Sequence, residues 1–129
     1  MGRVDEAKRD IDQALKIDPK NSEALALQSI IAVVQNDKDG ALNLAQQAVA
    51  ADPNSPAAKT ALSYAQQARF DLEGARKTLE EEVKAHPDNA LAWARLAELR
   101  SSFSDLDGSL EAAEKAVAIN PNISRTQTV

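Results

Sequence analysis

The sequence predicts an all-α protein, an α-α superhelix of about seven antiparallel helices, from three observations. Four of the five prolines, Pro19, Pro53, Pro87 and Pro121, follow one another at steps of 34 residues, and internal repetition of this length is typical of repeat proteins. Apolar residues within each step recur at the spacing of one helical face. Aromatic residues make up only 3% of a chain that is 43% hydrophobic, which favours closely packed helices over sheets.

Several other residue types keep the same step without a gap. They form a glycine series, two acidic series, a small-residue series and an apolar series. These are Gly40, Gly74 and Gly108; Asp37, Asp71 and Asp105; Asp5, Asp39, Glu73 and Asp107; Ala7, Ala41, Ala75 and Ser109; and Leu15, Val49, Val83 and Val117. Because chance does not align so many independent series, the chain is predicted to repeat one structural unit.

Each unit is predicted to contain two helices, called A and B in chain order. The face formed by Val4, Ala7, Ile11 and Leu15 has the spacing of a B helix. An Asp at the middle of each unit caps its B helix, and the Asp-Pro or Asn-Pro pair ends it, because the residue before proline is excluded from the α region. B helices are therefore expected near 4–17, 38–51, 72–85 and 106–119, and A helices near 22–35, 56–69 and 90–103.

These residues resemble the tetratricopeptide-repeat (TPR) family, whose 34-residue units carry W-x2-L-G-x2-Y, then A-x3-F, then P. The matching residues are Trp93, Leu96, Ala97, Ala113, Ala116 and Pro121; Leu62, Ser63, Ala75, Leu79 and Pro87; Leu25, Ser29, Ala41, Ala48 and Pro53; and Ala7, Ile11, Ala14 and Pro19. The resemblance implies a TPR solenoid over nearly the whole chain. It also places Trp93 on a packing position between the A and B helices.

Some residues depart from the family pattern. Lys59 stands where the family has Trp, and Glu82 replaces a small Ala. The turn glycine between the A and B helices becomes Asn36, Phe70 and Ser104. Since a bulky side chain disfavours the left-handed backbone conformation, we expect the turn at Phe70 to differ from the other two.

We expect one TPR array over 1–129, made of a partial repeat 1–21, repeats 22–55, 56–89 and 90–123, and the start of a next repeat at 124–129. The partial repeats suggest a segment of a longer, bacterial-type array. Its uncapped ends, around Ile11 and Leu110, are expected to promote self-association, since such surfaces are normally covered. The residues given contain no targeting signal, so the compartment, cytoplasmic or periplasmic, depends on the parent protein.

Composition argues against several other functions. The formal net charge is −5, so nucleic acid is not an expected partner, and no apolar run is long enough to predict membrane insertion. The chain lacks cysteine, and no metal-binding, cofactor-binding or catalytic motif is present, so we predict no enzyme. His86, the single histidine, precedes Pro87 and is assigned to a helix end, and the acidic run 80–82 is assigned to a solvated face.

The resemblance implies a protein-interaction module whose A helices line a concave groove. In the family register the expected peptide-binding residues are Ala26, Ile30, Val33, Thr60, Tyr64, Gln67, Arg95 and Glu98. TPR domains that hold two carboxylates of a peptide use several Lys, Arg and Asn residues there, whereas here Arg95 is the one cation. The groove therefore suits an apolar extended or helical peptide. The alternative is a spacer that positions other domains and has no ligand of its own.

Overall fold

The computed structural model describes residues 2–18 and 20–120, which form seven α-helices and no strand. The helices are α1 (Gly2–Ile17), α2 (Ser22–Val34), α3 (Lys38–Ala51), α4 (Pro56–Ala68), α5 (Leu72–Ala85), α6 (Ala90–Ser102) and α7 (Leu106–Ile119). The all-α class is confirmed, and α2, α4 and α6 are the expected A helices. Pro19, Pro121 and the expected repeat start at 124–129 lie outside the described residues.

Short polar side chains cap the N-termini of the A helices, and these helices start at the predicted positions. Asn21, Ser55 and Asn89 have extended backbones, and each side chain accepts a hydrogen bond from the N–H three residues later. Such caps satisfy backbone donors that have no partner inside the helix, and each contributes about 1 kcal/mol. These local signals explain why the helix starts follow directly from the sequence.

The three A-to-B turns have the same geometry. Asn36, Phe70 and Ser104 have φ angles of 64°, 63° and 63°, respectively. In the second turn, the Phe70 N–H donates to the Gln67 carbonyl and the Asp71 N–H to the Gln66 carbonyl, both at 2.9 Å, which is the Schellman pattern. The expectation that the turn at Phe70 differs is therefore wrong. The hydrogen bonds of the motif hold Phe70 in a conformation that its side chain disfavours.

After two of these turns, the residue that follows the turn is the N-cap of the next helix. The Asp37 carboxylate accepts from the Gly40 N–H at 3.1 Å, and Asp105 accepts from Gly108 at 3.0 Å. A Cβ at either glycine would come within 3 Å of the capping carboxylate, so the Asp side chain would have to shift to accommodate it.

The chain divides into two compact units, Met1–Asp71 and Leu72–Val129. The first contains α1 to α4, and its core is dominated by alanine, which lets helix backbones approach closely. The main cluster of buried apolar residues consists of Leu25, Ala26, Ala32, Ala41, Ala45, Ala48, Ala58, Ala61 and Ala65. The buried Ser29 hydroxyl donates to the Ala41 carbonyl at 2.7 Å, which joins α2 to α3.

The second unit contains α5 to α7 and buries larger side chains, including Leu79, Leu96 and Trp93. Trp93 is 8% exposed, and its Nε1–H donates to the Pro87 carbonyl at 2.8 Å. The Lys115 ammonium lies 4.4 Å from the centre of its ring. These contacts confirm that Trp93 is a packing residue.

Glu82 is a buried carboxylate in the second unit, with 1% of its surface exposed. The Asn89 side-chain amide donates to it at 2.7 Å, and the His86 Nδ1 lies 3.2 Å from its other oxygen. The assignment of the whole acidic run to a solvated face is therefore wrong for Glu82, although Glu81 is exposed. Hydrogen bonds from the end of α5 and the start of α6 offset the cost of burying the carboxylate.

Candidate functional site

In the first unit, the A helices α2 and α4 pack against each other. The 34-residue step pairs their positions, so that Ile30 corresponds to Tyr64 and Val33 to Gln67. Ile30 and Val33 are partly buried against the core of this unit, whereas Tyr64 is 37% exposed. We call the surface formed by Ile30, Val33, Thr60, Tyr64 and Gln67 the A-face.

The A-face has little charge. α2 contains one charged residue, Glu23, and α4 contains one, Lys59. The residues of the A-face itself are apolar or neutral and polar. Such a surface favours apolar contacts with a few hydrogen bonds over the binding of a strongly charged ligand.

Ala26 lies behind the A-face. It was expected on the groove surface, but it is 1% exposed and belongs to the core of the first unit. Its equivalent one step later, Thr60, is partly exposed. The A-helix register places both on one face, but neighbouring side chains cover only Ala26.

The remaining expected site residues are on α6, in the second unit. Arg95 is partly buried and Glu98 is exposed. Leu91, one turn before Arg95, is 68% exposed. The A helix of this unit therefore presents charged and apolar side chains together.

Two exposed apolar residues of α2 were not recognised from the sequence. Leu27 and Val34 are 53% and 76% exposed. Their equivalents one step later are Ala61 and Ala68. Ala61 is buried and Ala68 is partly exposed, so the comparison of equivalent positions gives no signal that could have identified Leu27.

The described residues offer no built site for a metal, since no three His, Cys, Asp or Glu side chains among them converge suitably. Within the same part of the chain, no helix has both the length and the apolar character needed to cross a membrane.

A family model described as tetratricopeptide repeat matches residues 1–63 and 32–99, which together exceed half of the chain. No curated protein sequence matches significantly.

Several solved structures are similar in fold. A crystal structure of MamA is 26% identical, with a TM-score of 0.78, and the match covers 96% of this chain and 72% of that one. TTC0263, a TPR protein from Thermus thermophilus, is 22% identical, with a TM-score of 0.83 and coverages of 93% and 68%. The first TPR of Spaghetti (RPAP3), bound to the HSP90 peptide SRMEEVD, is 19% identical, with a TM-score of 0.74 and coverages of 81% and 83%.

Proposed function

Because the chain belongs to the tetratricopeptide-repeat family, we propose that it is a protein-interaction module that binds an apolar peptide or helical segment on its A-face. The observation that supports the proposal is that α2, which carries Ile30 and Val33, packs against α4, which carries Tyr64, and that all three side chains keep exposed area.

The chemistry of these three side chains supports an apolar ligand. Ile30 and Val33 already pack on the core, so a ligand that covers their remaining exposed area gains apolar burial without having to order them. Tyr64 provides a rigid ring and a hydroxyl, a combination that is frequent in binding surfaces. A helix with apolar residues at i, i+3 or i+4 and i+7 fits such a surface.

An acidic peptide fits the A-face less well. The HSP90 peptide bound by the RPAP3 domain, SRMEEVD, contains two Glu and one Asp, and such ligands require several cations at the site. Thr60, Tyr64 and Gln67 carry no positive charge. On the second unit, by itself, Arg95 and Glu98 of α6 are proposed as contact positions of mixed charge.

Selection from a phage-displayed library of 16-residue peptides tests the proposal. Wild-type protein is expected to enrich peptides with apolar residues at helical spacing and no requirement for a C-terminal carboxylate. Tyr64→Ala is expected to weaken their binding by about tenfold or more, since a buried aromatic anchor contributes about 2 kcal/mol or more to an interface. The peptide SRMEEVD serves as the acidic comparison and is expected not to bind.

Asn43→Asp is the control for Ile30→Asp, because it introduces the same charge at an exposed position of α3, outside the A-face. Ile30→Asp is expected to abolish binding and Asn43→Asp to preserve it, with folding of both checked by circular dichroism. Enriched peptides that bind Tyr64→Ala and wild type equally would contradict the proposed site. Failure to enrich any peptide would favour the spacer alternative.

A further inference from the structure

The first unit contains a pocket between α1, α2 and α3. Its volume is about 310 Å³, which lies at the lower end of the range found for ligand pockets. Among the residues that line it, Ile11 and Ala32 are buried, whereas the charged Asp12 and Asp37 are exposed. We call it the α1–α3 pocket; its lining residues include Ile11, Asp12, Ile31, Ala32, Asp37 and Leu44.

The second unit contains an equivalent set of helices. α5, α6 and α7 correspond to α1, α2 and α3 at two steps of 34 residues. Glu80 stands at the position of Asp12, and Arg100 stands at the position of Ala32. Because repeats place corresponding residues at corresponding points of the same helical unit, the second unit shows what a longer side chain does at the position of Ala32.

In the second unit, a guanidinium group bridges the two B helices. The Arg100 side chain is 18% exposed. Its Nη1–H donates to the Gly108 carbonyl of α7 at 3.1 Å, and its Nη2 lies 3.8 Å from a carboxylate oxygen of Glu80 on α5. Two nitrogens of one group thus contact a carbonyl and a carboxylate, which suits the planar fork of a guanidinium better than the point charge of an ammonium.

The first unit keeps the acceptors of this arrangement but not the arginine. Asp12 provides the carboxylate and Gly40 the carbonyl at the equivalent positions, whereas Ala32 replaces the arginine. An alanine side chain ends at Cβ, so the space that the Arg100 side chain takes up in the second unit stays open in the α1–α3 pocket.

A cation beside the carboxylate does not prevent a second one from binding. Arg76 lies one turn before Glu80, with its Nε 3.4 Å from a carboxylate oxygen, and the second arginine approaches the same carboxylate. In the α1–α3 pocket, Lys8 lies one turn before Asp12 in the same way, and both residues line the pocket. The position of the second cation is the one left open.

We propose that the α1–α3 pocket binds an arginine side chain of a partner protein. The guanidinium contacts the Asp12 carboxylate. The aliphatic stem packs against Ile11 and Leu44, as long cationic side chains do on apolar surface. α1 and α3 contribute no residue to the A-face, so binding in this pocket requires no ligand there.

The charge of the lining favours an arginine within a polypeptide over the free amino acid. One lysine and two aspartates line the pocket, Lys8, Asp12 and Asp37, which gives a net charge of −1. The α-carboxylate of free arginine is repelled by the aspartates, whereas an arginine inside a chain has a neutral backbone. The pocket therefore selects a cation that is not accompanied by a carboxylate.

Titration of the ¹⁵N-labelled chain with N-acetyl-arginine amide tests the proposal, because this compound presents a peptide-like arginine without an α-carboxylate. Saturable shifts of backbone amide signals are expected near Asp12, Ala32 and Leu44, and not near Tyr64 of the A-face. N-acetyl-citrulline amide, a neutral compound of the same shape, is expected to cause no shifts. N-acetyl-lysine amide and free arginine are expected to bind about two- to fivefold more weakly.

Removal of the carboxylate tests the assigned contact. Asp12→Asn should weaken the binding of N-acetyl-arginine amide about two- to fivefold, as expected for an exposed ion pair. Asp10→Asn is the matched control, because it makes the same change at an exposed position of α1 outside the pocket lining, and it should leave the affinity unchanged.

Filling the pocket from within the chain tests the assigned place. Ala32→Arg should occupy the pocket with its own guanidinium and abolish the binding of N-acetyl-arginine amide. Gln47→Arg, at an exposed position of α3 outside the pocket lining, should preserve it. Circular dichroism checks the folding of both variants, and if Ala32→Arg does not fold, the comparison of Asp12→Asn with Asp10→Asn decides.

Three results would overturn the proposal. The first is the absence of saturable binding. The second is equal affinity for the arginine and lysine compounds with shifts spread over the chain, or equal weakening by Asp12→Asn and Asp10→Asn, since the binding would then be attraction to an acidic protein in general. The third is tighter binding of free arginine than of N-acetyl-arginine amide, because the pocket would then belong to the amino acid and not to a partner protein.

Discussion

Phe70 has a left-handed backbone, with φ of 63°. Its side chain is 82% exposed. The ring gains little from burial, and its contact is with the Lys38 ammonium, 5.3 Å from the ring centre. The left-handed conformation costs a non-glycine residue about 1–2 kcal/mol. The exposed cation–π contact offsets only about 0.5–1 kcal/mol of that cost.

Phe70→Gly is therefore expected to leave the protein as stable as the wild type or up to about 1 kcal/mol more stable. Ala68→Gly, in the last turn of the preceding helix, is the matched control and should destabilise by about 0.5–1 kcal/mol. Urea unfolding followed by circular dichroism measures both. A loss of more than about 1 kcal/mol in Phe70→Gly would show that the ring contributes more than its exposure suggests.

The pair Glu82 and Asn89 replaces the pair Ala48 and Ser55 found one step earlier. Glu82→Ala should lower the free energy of unfolding by about 1–3 kcal/mol, because it removes the buried carboxylate that accepts a hydrogen bond from the Asn89 side-chain amide. Adding Asn89→Ser, which keeps a helix cap, should recover part of that loss. A double-mutant cycle of urea unfolding measures the coupling. If Glu82→Ala has the same effect on unfolding in the wild type and in the Asn89→Ser variant, the two residues are not coupled and the prediction is wrong.

At the scale of the helices, small residues determine how closely neighbours approach. Ala41, Ala75 and Ala116 are at most 1% exposed. Replacing any one of them with Leu should destabilise by about 1–3 kcal/mol, because the added methyl groups force the backbone to shift. The exposed Ala50 and Ala118 are the controls and should tolerate Leu. Unchanged thermal unfolding in all three core variants would mean that the packing register is wrong.

The helices were predictable from the sequence because their ends are determined locally. Asp37 and Asp105 cap helices through their own side chains, and the prolines exclude helix at fixed positions. The turn at Phe70 was not predictable, because hydrogen bonds of the whole motif override the preference of one residue. The burial of Glu82 was missed because a run of like charges does not reveal which member faces the neighbouring helix.

The candidate site was predictable only in part. The repeat period assigns Ile30 and Tyr64 to equivalent positions of the neighbouring helices α2 and α4. It did not reveal that Ala26 is covered or that Leu27 and Val34 are exposed, because exposure depends on which side chains surround each position. The binding role of the A-face remains a prediction.

For the whole molecule, the repeated unit yields two surfaces of different chemistry. The A-face is formed by uncharged residues of α2 and α4, whereas α6 carries the charged residues Arg95 and Glu98. Repeat units of this kind bury their apolar residues mainly against adjacent units. Substitutions at exposed positions therefore change the surface chemistry with little effect on the fold.

The central claim is that the A-face binds an apolar peptide. Chemical-shift mapping of the ¹⁵N-labelled chain with a library-selected peptide tests it most directly. We expect the backbone amide signals at and around Ile30, Val33 and Tyr64 to shift, while those of α7 do not. Shifts concentrated on α7 or on the turns, with α2 and α4 unaffected, would contradict it.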